Sequence, residues 1–239
     1  MTENESGQPV GDPVPGWKPR DRPARIGLIG RYVALQPISV VHVPALHASL
    51  CGPHDDALWT YRTTPRPTTE SALADLVDEW EAPGENVTWA VVPTSTGEAA
   101  GMTSFYRVDP EHGQAEVAAV IYARDLQRSR AATEATYLLM RYAFDGLGYR
   151  RFEWKCDSLN EPSRVAAERL GFTYEGRFRN HMVTKGRNRD TDWYSVTDAE
   201  WPALKLAFQT WLNPDNFDEA GQQRVSLSSL TAAKGSAEG

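Results

Sequence analysis

Residues 122–147, YARDLQRSRAATEATYLLMRYAFDGL, constrain the fold of this chain more than any other stretch. They open as the end of a strand, pass through an arginine-bearing loop, and continue as a helix whose apolar residues recur at helical spacing from Ala132 to Leu147. The first backbone N–H groups of such a helix have no internal partner, and Arg128 and Arg130 add positive charge beside them. The pattern therefore predicts either an anion-binding helix start or an ordinary crossover with solvated arginines.

The elements around this stretch alternate in an α+β order. Residues 31–36 have the pattern of a strand, a short helix begins near Pro44, and Thr69 offers an N-cap for an amphipathic helix that ends before Pro83. The period then changes to two, which predicts three consecutive antiparallel strands. A strand at 150–156, a short helix after Asn160, a final strand pair and a terminal helix at 199–212 complete the order. The fold class is thus α+β, with a mostly antiparallel sheet of about six to seven strands.

Composition sets the predicted boundaries of the folded part. Residues 1–25 contain five prolines and three glycines but few apolar side chains, so they are predicted to form a disordered arm. Residues 213–239 are similarly poor in core-forming side chains and are predicted to be a flexible tail. A single domain is expected at 26–212.

Charge and cysteine usage narrow the classes of partner. The net charge of −7 argues against binding to duplex nucleic acid through phosphate neutralisation. Cys51 and Cys156 form no C-x-x-C pair, which predicts neither a disulfide framework nor a metal site. The sequence contains no apolar run of bilayer length and opens without a signal-peptide pattern. A cytoplasmic protein without a metal or a membrane partner is expected, and a homodimer remains open.

A second motif follows residues 122–147 along the chain. After the strand RRFEWKC comes NEPSRVAAERLGF, in which Asn160 stands three residues before Ser163 at the start of a short helix. The ordered set of these motifs resembles the GNAT superfamily of acyl-CoA N-acyltransferases, in particular its ribosomal-protein-serine N-acetyltransferase-like branch. The resemblance extends from about Arg31 to Trp201 and implies a sheet whose fourth and fifth strands splay apart.

The resemblance also implies where an acyl-CoA would bind. The gap between the splayed strands would hold the pantetheine arm against the fourth strand, and the loop with the following helix start would hold the pyrophosphate. Asn160 would meet the cofactor as well as cap its helix. The other residues implied are Ala118, Ala119, Val120, Ile121, Tyr122, Gln127, Arg128, Ser129, Arg130, Ala131, Ala132 and Ser163. Arg130 occupies a position where the family pattern has glycine, so its side chain must either point away from the phosphates or embrace them.

The same resemblance suggests the catalytic groups. Glu116 stands where family members place a carboxylate that removes the proton of the attacking amine, although a solvent-facing strand glutamate is the alternative. Ala167 replaces the tyrosine that commonly serves as general acid, which shifts that role to Ser163, with His181 or water as substitutes. Trp59 and Tyr61 lie in a loop that could shape an acceptor pocket, or they could plug the edge of the core.

The function predicted from these residues is N-acyl transfer, with acetyl-CoA as donor and a small-molecule or peptide amine as acceptor. The amine would attack the thioester directly, without a covalent enzyme intermediate. Two alternatives stay open at this point. One is a transferase that uses succinyl-CoA or another acyl-CoA, and the other is a catalytically silent acyl-CoA-binding module.

Overall fold

The computed structural model describes residues 2–82, 84 and 86–232. Ten strands are present in this part of the chain, and the last eight of them form one sheet in the order β3-β4-β5-β6-β7-β8-β10-β9. The strands are β1 (Thr2–Glu3), β2 (Pro9–Val10), β3 (Leu28–Ile29), β4 (Val33–Pro37), β5 (Val87–Pro93), β6 (Gly101–Asp109), β7 (Gln114–Tyr122), β8 (Arg151–Asp157), β9 (Thr173–Thr184) and β10 (Arg187–Thr197).

Helices cover both faces of the large sheet and begin at residues that favour helix starts. The Thr69 side chain accepts a hydrogen bond from the backbone of Ala72, and Ser129 and Asn160 cap their helices in the same way. The α-helices are α1 (Val43–Leu50), α2 (Glu70–Glu81), α3 (Arg130–Arg141), α4 (Glu161–Arg169), α5 (Trp201–Leu212) and α6 (Leu227–Ala232). A π-helical turn, Tyr142–Gly146, extends α3.

The predicted fold class is confirmed, with eight strands in the sheet rather than six or seven. The additional strand is β3, which pairs with β4 through only two residues and is too short for a sequence pattern to reveal. The predicted final strand pair is a long hairpin, β9 and β10, that includes the basic segment between them. Every neighbouring pair of strands in this sheet is antiparallel except β7 and β8, which are parallel.

Strand alternation divides the side chains of the central strands between two faces. On one face, Phe105 and Phe152 pack edge to face with ring centres 5.3 Å apart, and Phe152 also meets Phe144 of the π-helical turn. On the opposite face, Glu116 of β7 lies opposite Glu153 of β8, where the two strands pair. The apolar face anchors the helices that follow β7, and the other face carries the charged groups described below.

The N-terminal segment contacts the domain where the sequence predicts a disordered arm. The Trp17 indole donates a 3.1 Å hydrogen bond to the Glu111 carbonyl, and the Tyr149 hydroxyl donates one of 2.9 Å to the Asp21 carbonyl. The guanidinium of Arg25 donates to the Ile38 carbonyl at 2.9 Å. These contacts involve backbone carbonyls and two aromatic side chains, of which only Trp17 belongs to the segment, so a composition rule based on apolar content does not register them.

The C-terminal segment also differs from the predicted flexible tail as far as residue 232. Leu227 of α6 is fully buried, and the Asn216 side chain bonds to the carbonyls of Trp211 and Val225. The Trp211 indole donates a 2.7 Å hydrogen bond to the Gln223 side chain. A few well-placed side chains dock this segment although its average composition is polar. The predicted tail beyond residue 232 lies outside the described residues.

Candidate active site

The parallel pairing of β7 and β8 stops partway along both strands. It runs from Gln114 opposite Arg151 to Val117 opposite Trp154, whereas β7 continues to Tyr122 and β8 to Asp157. Beyond this point β8 remains paired with β10 and β7 with β6. The sheet therefore divides into two halves that diverge after Val117, and the edge of β7 from residue 118 onward does not pair with β8.

The backbone of β7 is irregular at the point of divergence. The register with β6 shifts between the pairs Ser104–Ala118 and Met102–Ile121, which leaves Ala119 and Val120 as a bulge. Ala119 has φ of 55°, a conformation that side-chain-bearing residues seldom adopt. Ala118, Ala119 and Val120 are partly buried and Ile121 is buried. Small side chains and a bulge at this place present backbone groups to the gap.

The loop from β7 to α3 leads directly away from this gap. The Gln127 side chain donates a 2.9 Å hydrogen bond to the Tyr122 carbonyl, and the Ser129 hydroxyl accepts one of 3.0 Å from the Ala132 backbone. Arg128 is exposed and has φ of 59°, which directs the backbone sharply into the helix. Ala131 and Ala132 are buried in α3. The helix start and Arg128 together form a positively polarised site beside the gap.

Arg130 points away from this helix start. Its guanidinium lies 5.1 Å from the ring centre of Tyr32 and 4.5 Å from that of Phe217, so it is held between two aromatic rings. The Tyr32 hydroxyl in turn donates to the Leu212 carbonyl at 3.1 Å. Of the two orientations that the sequence left open, the side chain adopts the one away from the phosphate side, where it joins α3 to the C-terminal segment.

Asn160 and Ser163 lie on the other side of the gap, at the start of α4. The Asn160 side chain accepts a hydrogen bond of 3.3 Å from the Ser163 backbone, as expected of an N-cap. The Ser163 hydroxyl accepts a 3.0 Å hydrogen bond from the Trp154 indole and lies beside the thiol of Cys156 on β8. Because Trp154 supplies a proton to this bond, the serine retains its own proton for another acceptor.

Glu116 is buried, with 2% of its side chain exposed, two residues before the gap. The Lys155 ammonium lies 2.9 Å from its Oε2, and the Arg107 guanidinium lies 3.9 Å from the same atom. Burial raises the pKa of the Glu116 carboxyl above its ordinary value, and these two cations act in the opposite direction. The position is therefore not that of a solvated strand glutamate. The group can hold and release a proton closer to neutral pH.

The ring of Trp193 packs against both cations that neighbour Glu116. The Lys155 ammonium lies 5.2 Å from its ring centre and the Arg107 guanidinium 5.3 Å from it. His181 packs near the same ring at 6.2 Å and shares a 2.9 Å hydrogen bond with the Thr191 hydroxyl. Burial, followed by the charges of Lys155, Arg189 and Arg107, lowers the pKa of His181. The imidazole is thus uncharged at neutral pH and carries one N–H group, and its role as proton donor stays a prediction.

The two loop aromatics have different positions. Trp59 is 1% exposed and its indole donates a 2.8 Å hydrogen bond to the Leu50 carbonyl, so it plugs the core and does not face an acceptor. Tyr61 is partly exposed, and its hydroxyl donates to the Leu159 carbonyl at 3.0 Å. The Lys185 ammonium on the β9–β10 hairpin donates to the Trp59 carbonyl at 2.7 Å. The loop after α1 is thereby joined to both the hairpin and the α4 entry.

The sequence pattern alone did not indicate Lys155, Arg107, Trp193, Tyr106 or Arg62 as neighbours of the site. Lys155 belongs to an alternating strand pattern in which it is an ordinary outward residue. Its partner Glu116 is on a strand that becomes its neighbour only through the crossover of α3. Sequence alternation gives the face of each side chain, but the register between β7 and β8 is a property of the fold.

The sequence and the structure of this chain were compared with those of known proteins, and both match acetyltransferases. The sequence profile of the family described as acetyltransferase (GNAT) domain matches residues 33–173, more than half of the chain. The chain belongs to the GNAT family. A crystal structure of a GCN5-related N-acetyltransferase from Brucella melitensis is 43% identical to this GNAT chain, with a TM-score of 0.89, and the match covers 92% of this chain and all of that one.

Two further relatives are less similar to this chain than the Brucella melitensis structure is. A Chromobacterium violaceum structure assigned to the family is 35% identical, with a TM-score of 0.76, over 82% of this chain and 98% of that one. YdaF of Bacillus subtilis, named as a candidate ribosomal N-acetyltransferase, is 32% identical over 109 residues. That alignment covers 46% of this chain and 59% of YdaF, which is less than two thirds of its length.

Membership in the GNAT family gives the gap between β7 and β8 its significance, because acetyltransferases of this family use acetyl-CoA. The described residues fit such a ligand: the β7 edge lacks a β8 partner from Ala118 onward, and the start of α3 lies beside it. Among the described residues, no helix has the length and apolar character required to cross a bilayer. The same residues contain no group of three or more side chains placed to ligate a metal.

Proposed function

We propose that this protein transfers an acetyl group from acetyl-CoA to a primary amine by direct attack of the amine on the thioester. The observation that carries the proposal is the position of Glu116. This carboxylate is buried two residues before the point where β7 and β8 diverge, with a raised pKa and a cation 2.9 Å away. A proton acceptor thus adjoins the strand edge against which the thioester would lie.

The donor would be held by residues on both sides of the gap. It supplies the acetyl thioester, and the backbone of residues 118–122 would contact its pantetheine arm. The N–H groups at the start of α3, with Arg128, would bind its pyrophosphate. Asn160 would contact the arm from the α4 side. Arg130 is assigned no phosphate contact, because its guanidinium is engaged between Tyr32 and Phe217.

Two residues of the chain would move protons. Glu116 takes a proton from the attacking ammonium, directly or through water, and the neutral nitrogen then forms a bond to the acetyl carbonyl carbon. The carbon–sulfur bond breaks, and the departing thiolate receives a proton from the Ser163 hydroxyl or from water. The acylated nitrogen then loses its second proton, which returns to the group that protonated the thiolate. Lys155 keeps Glu116 in its anionic form despite burial, because its ammonium stabilises that charge.

The proposal is tested by following thiol release from acetyl-CoA with a panel of primary amines. The products should gain the mass of one acetyl group, and no acetylated protein should accumulate when the acceptor is omitted. Succinyl-CoA and a longer acyl-CoA in parallel assays test the choice of donor. Binding of CoA without thiol release for any amine would favour the silent binding module instead.

Ser163→Ala and Asn160→Ala should have different effects. The serine change removes a hydroxyl at the sulfur side, so we expect turnover to fall about tenfold with the melting temperature nearly unchanged, because the Asn160 cap remains. Asn160→Ala should lower stability by about 1 kcal/mol through loss of that cap, and should also weaken CoA binding. Thermal unfolding and single-turnover rates measure both. Parallel loss of stability and activity in the serine variant would make Ser163 a structural residue.

A further inference from the structure

Close to Tyr106, a positively charged side chain has no charged partner among the described residues. Arg62 lies just after the 3-10 turn Asp56–Trp59, and its guanidinium carbon is 5.7 Å from the centre of the Trp59 ring. Its Nε is buried and makes no hydrogen bond to a described residue. No carboxylate in the described ranges lies within 4.0 Å of its nitrogens. The loop therefore holds a partly buried cation that is not neutralised.

Such an arrangement costs free energy unless a ligand completes it. Burial lowers the pKa of Arg62, and the electrostatic interaction with Tyr106 is a smaller opposing effect. Elsewhere in the same loop, Arg66 forms a salt bridge with Asp56 at 2.7 Å. Arg62 differs from Arg66 in that it has no such carboxylate partner among the described residues. A buried guanidinium left without a partner at the edge of a catalytic site has the properties of an anion-binding group.

Tyr106 connects Arg62 to the reacting centre. It is paired directly with Glu116 between β6 and β7, so the two side chains lie on the same face of the sheet. Burial raises the pKa of Tyr106, and Arg62 and Glu116 both act on it electrostatically. The hydroxyl remains protonated at neutral pH and can donate a hydrogen bond. Arg62 and Tyr106 thus stand together on the side of β7 from which an amine would approach Glu116.

The other charges on this face are also mainly positive. Lys155 and Arg107 flank Glu116 and lie over Trp193. Burial, followed by the charges of Lys155, Arg189 and Arg107, lowers the pKa of His181. Glu153 on the same face is neutralised by Arg151 at 2.7 Å. An acceptor with only positive charge would be repelled by this surface, whereas one with a negative group would be attracted.

We propose that Arg62, assisted by the Tyr106 hydroxyl, binds a carboxylate of the acceptor, so that the acceptor is a small amine that also carries a carboxylate, as an amino acid does. This inference rests on the proposed acetyl transfer and specifies its substrate class. The planar guanidinium can donate two parallel hydrogen bonds to a carboxylate. The amine of the same molecule then lies before Glu116.

The test compares amino acids with their primary amides, which differ only in the anionic group. Glycine, β-alanine, phenylalanine and glutamate are assayed against the matching amides, with acetyl-CoA saturating. The wild-type protein should show kcat/KM about 10- to 100-fold higher for at least one acid than for its amide, mostly through KM. Arg62→Met keeps an unbranched side chain on Trp59 without charge, and it should reduce this ratio to about one, mainly by raising KM for the acid.

Two further variants make the result specific. Arg62→Lys keeps the charge but not the paired donors, so it should retain part of the preference. Lys18→Met removes one positive charge from an exposed residue of the N-terminal segment and should leave the ratio unchanged. If Arg62→Met does not fold, the acid-to-amide ratio of kcat/KM in Arg62→Lys, compared with that of the wild type, still tests whether Arg62 binds the carboxylate.

Three outcomes would overturn the inference. Equal use of acids and amides by an active wild-type protein would refute it while leaving acetyl transfer intact. A preference that survives Arg62→Met would assign the anion to another residue. If Arg62→Met loses activity with succinyl-CoA while its acid-to-amide ratio of kcat/KM stays unchanged, Arg62 contacts the acyl donor and not the acceptor. If no amine supports thiol release, the proposed function fails separately, and tryptophan-fluorescence titration of acid against amide still measures whether Arg62 binds the carboxylate.

Discussion

Glu116→Gln is expected to lower turnover by on the order of a hundredfold, because it replaces the group that accepts the amine proton with a nearly isosteric amide. The affinity for CoA should change little, since Glu116 lies in the part of β7 that is still paired with β8 and outside the gap. Above the pH at which the Glu116 carboxylate is fully formed, the deficit should narrow as the acceptor amine loses its own proton. Steady-state rates from pH 6 to 9, together with calorimetric titration of CoA, measure both effects.

The direction of the pH profile follows from the raised pKa of Glu116. The carboxylate form accepts the proton, and a raised pKa means that this form is populated only at a higher pH than for an ordinary glutamate. Wild-type turnover should therefore rise with pH through that raised pKa, and the glutamine variant should lack this rise. Equal turnover of both proteins across the range would remove Glu116 from the mechanism.

Glu153→Gln is the matched control for this experiment. It changes the carboxylate that pairs directly with Glu116 across β7 and β8, but Glu153 is bound to Arg151. Its negative charge contributes to the raised pKa of Glu116, so its removal should shift the rise in turnover slightly to lower pH and keep the maximum rate. A hundredfold loss here as well would point to a general disturbance of the sheet.

Glu134→Ala is expected to cause the largest loss of stability. Glu134 is buried in α3, and its carboxylate accepts three backbone hydrogen bonds from the start of β4, from Arg31 at 2.9 Å, Tyr32 at 2.6 Å and Val33 at 3.1 Å. Alanine leaves these N–H groups without their acceptor, which should cost about 3 to 5 kcal/mol. The melting temperature should fall by roughly 10 °C.

Gly30 provides an independent test of the same contact. A Cβ at this position would overlap the Glu134 carboxylate, so Gly30→Ala alone should also destabilise the protein. In the double variant Gly30→Ala, Glu134→Ala the carboxylate is absent, and the glycine change should then cost much less. Denaturant unfolding of the four proteins gives the coupling energy. Additive losses would mean that the two residues do not act on one another in the way the geometry requires.

The elements of this fold were predictable because local patterns specify them. The strand periods, the caps at Thr69, Ser129 and Asn160, and the order of elements could all be read from neighbouring residues. The docked N- and C-terminal segments could not, because Trp17 and Leu227 are isolated anchors in polar surroundings, and average composition conceals them.

The candidate site was predictable only in part, for a related reason. Glu116, Ser163 and the loop before α3 could be proposed from motifs and their order along the chain. The partners that determine their chemistry, Lys155 beside Glu116 and Trp154 beside Ser163, are set by strand register and helix packing. The orientation of Arg130 could not be predicted from the motif, because the Phe217 ring that it packs against belongs to a segment distant in sequence.

The short pairing between β7 and β8 has a consequence for how this chain folds. Strands β5 to β7 are connected through turns, and β9 and β10 through a tight hairpin, whereas β4 meets β5, and β8 meets β10, across longer stretches of chain. The contacts between the halves join residues such as Gln114 and Arg151, which come together only after α3 has closed the crossover. The turn-connected strands β5 to β7 and the β9–β10 hairpin can therefore form before this seam, because the seam also requires closure of the crossover loop. The acyl-CoA gap would open at this seam, so a chain able to bind CoA is one in which both groups of strands have formed and docked.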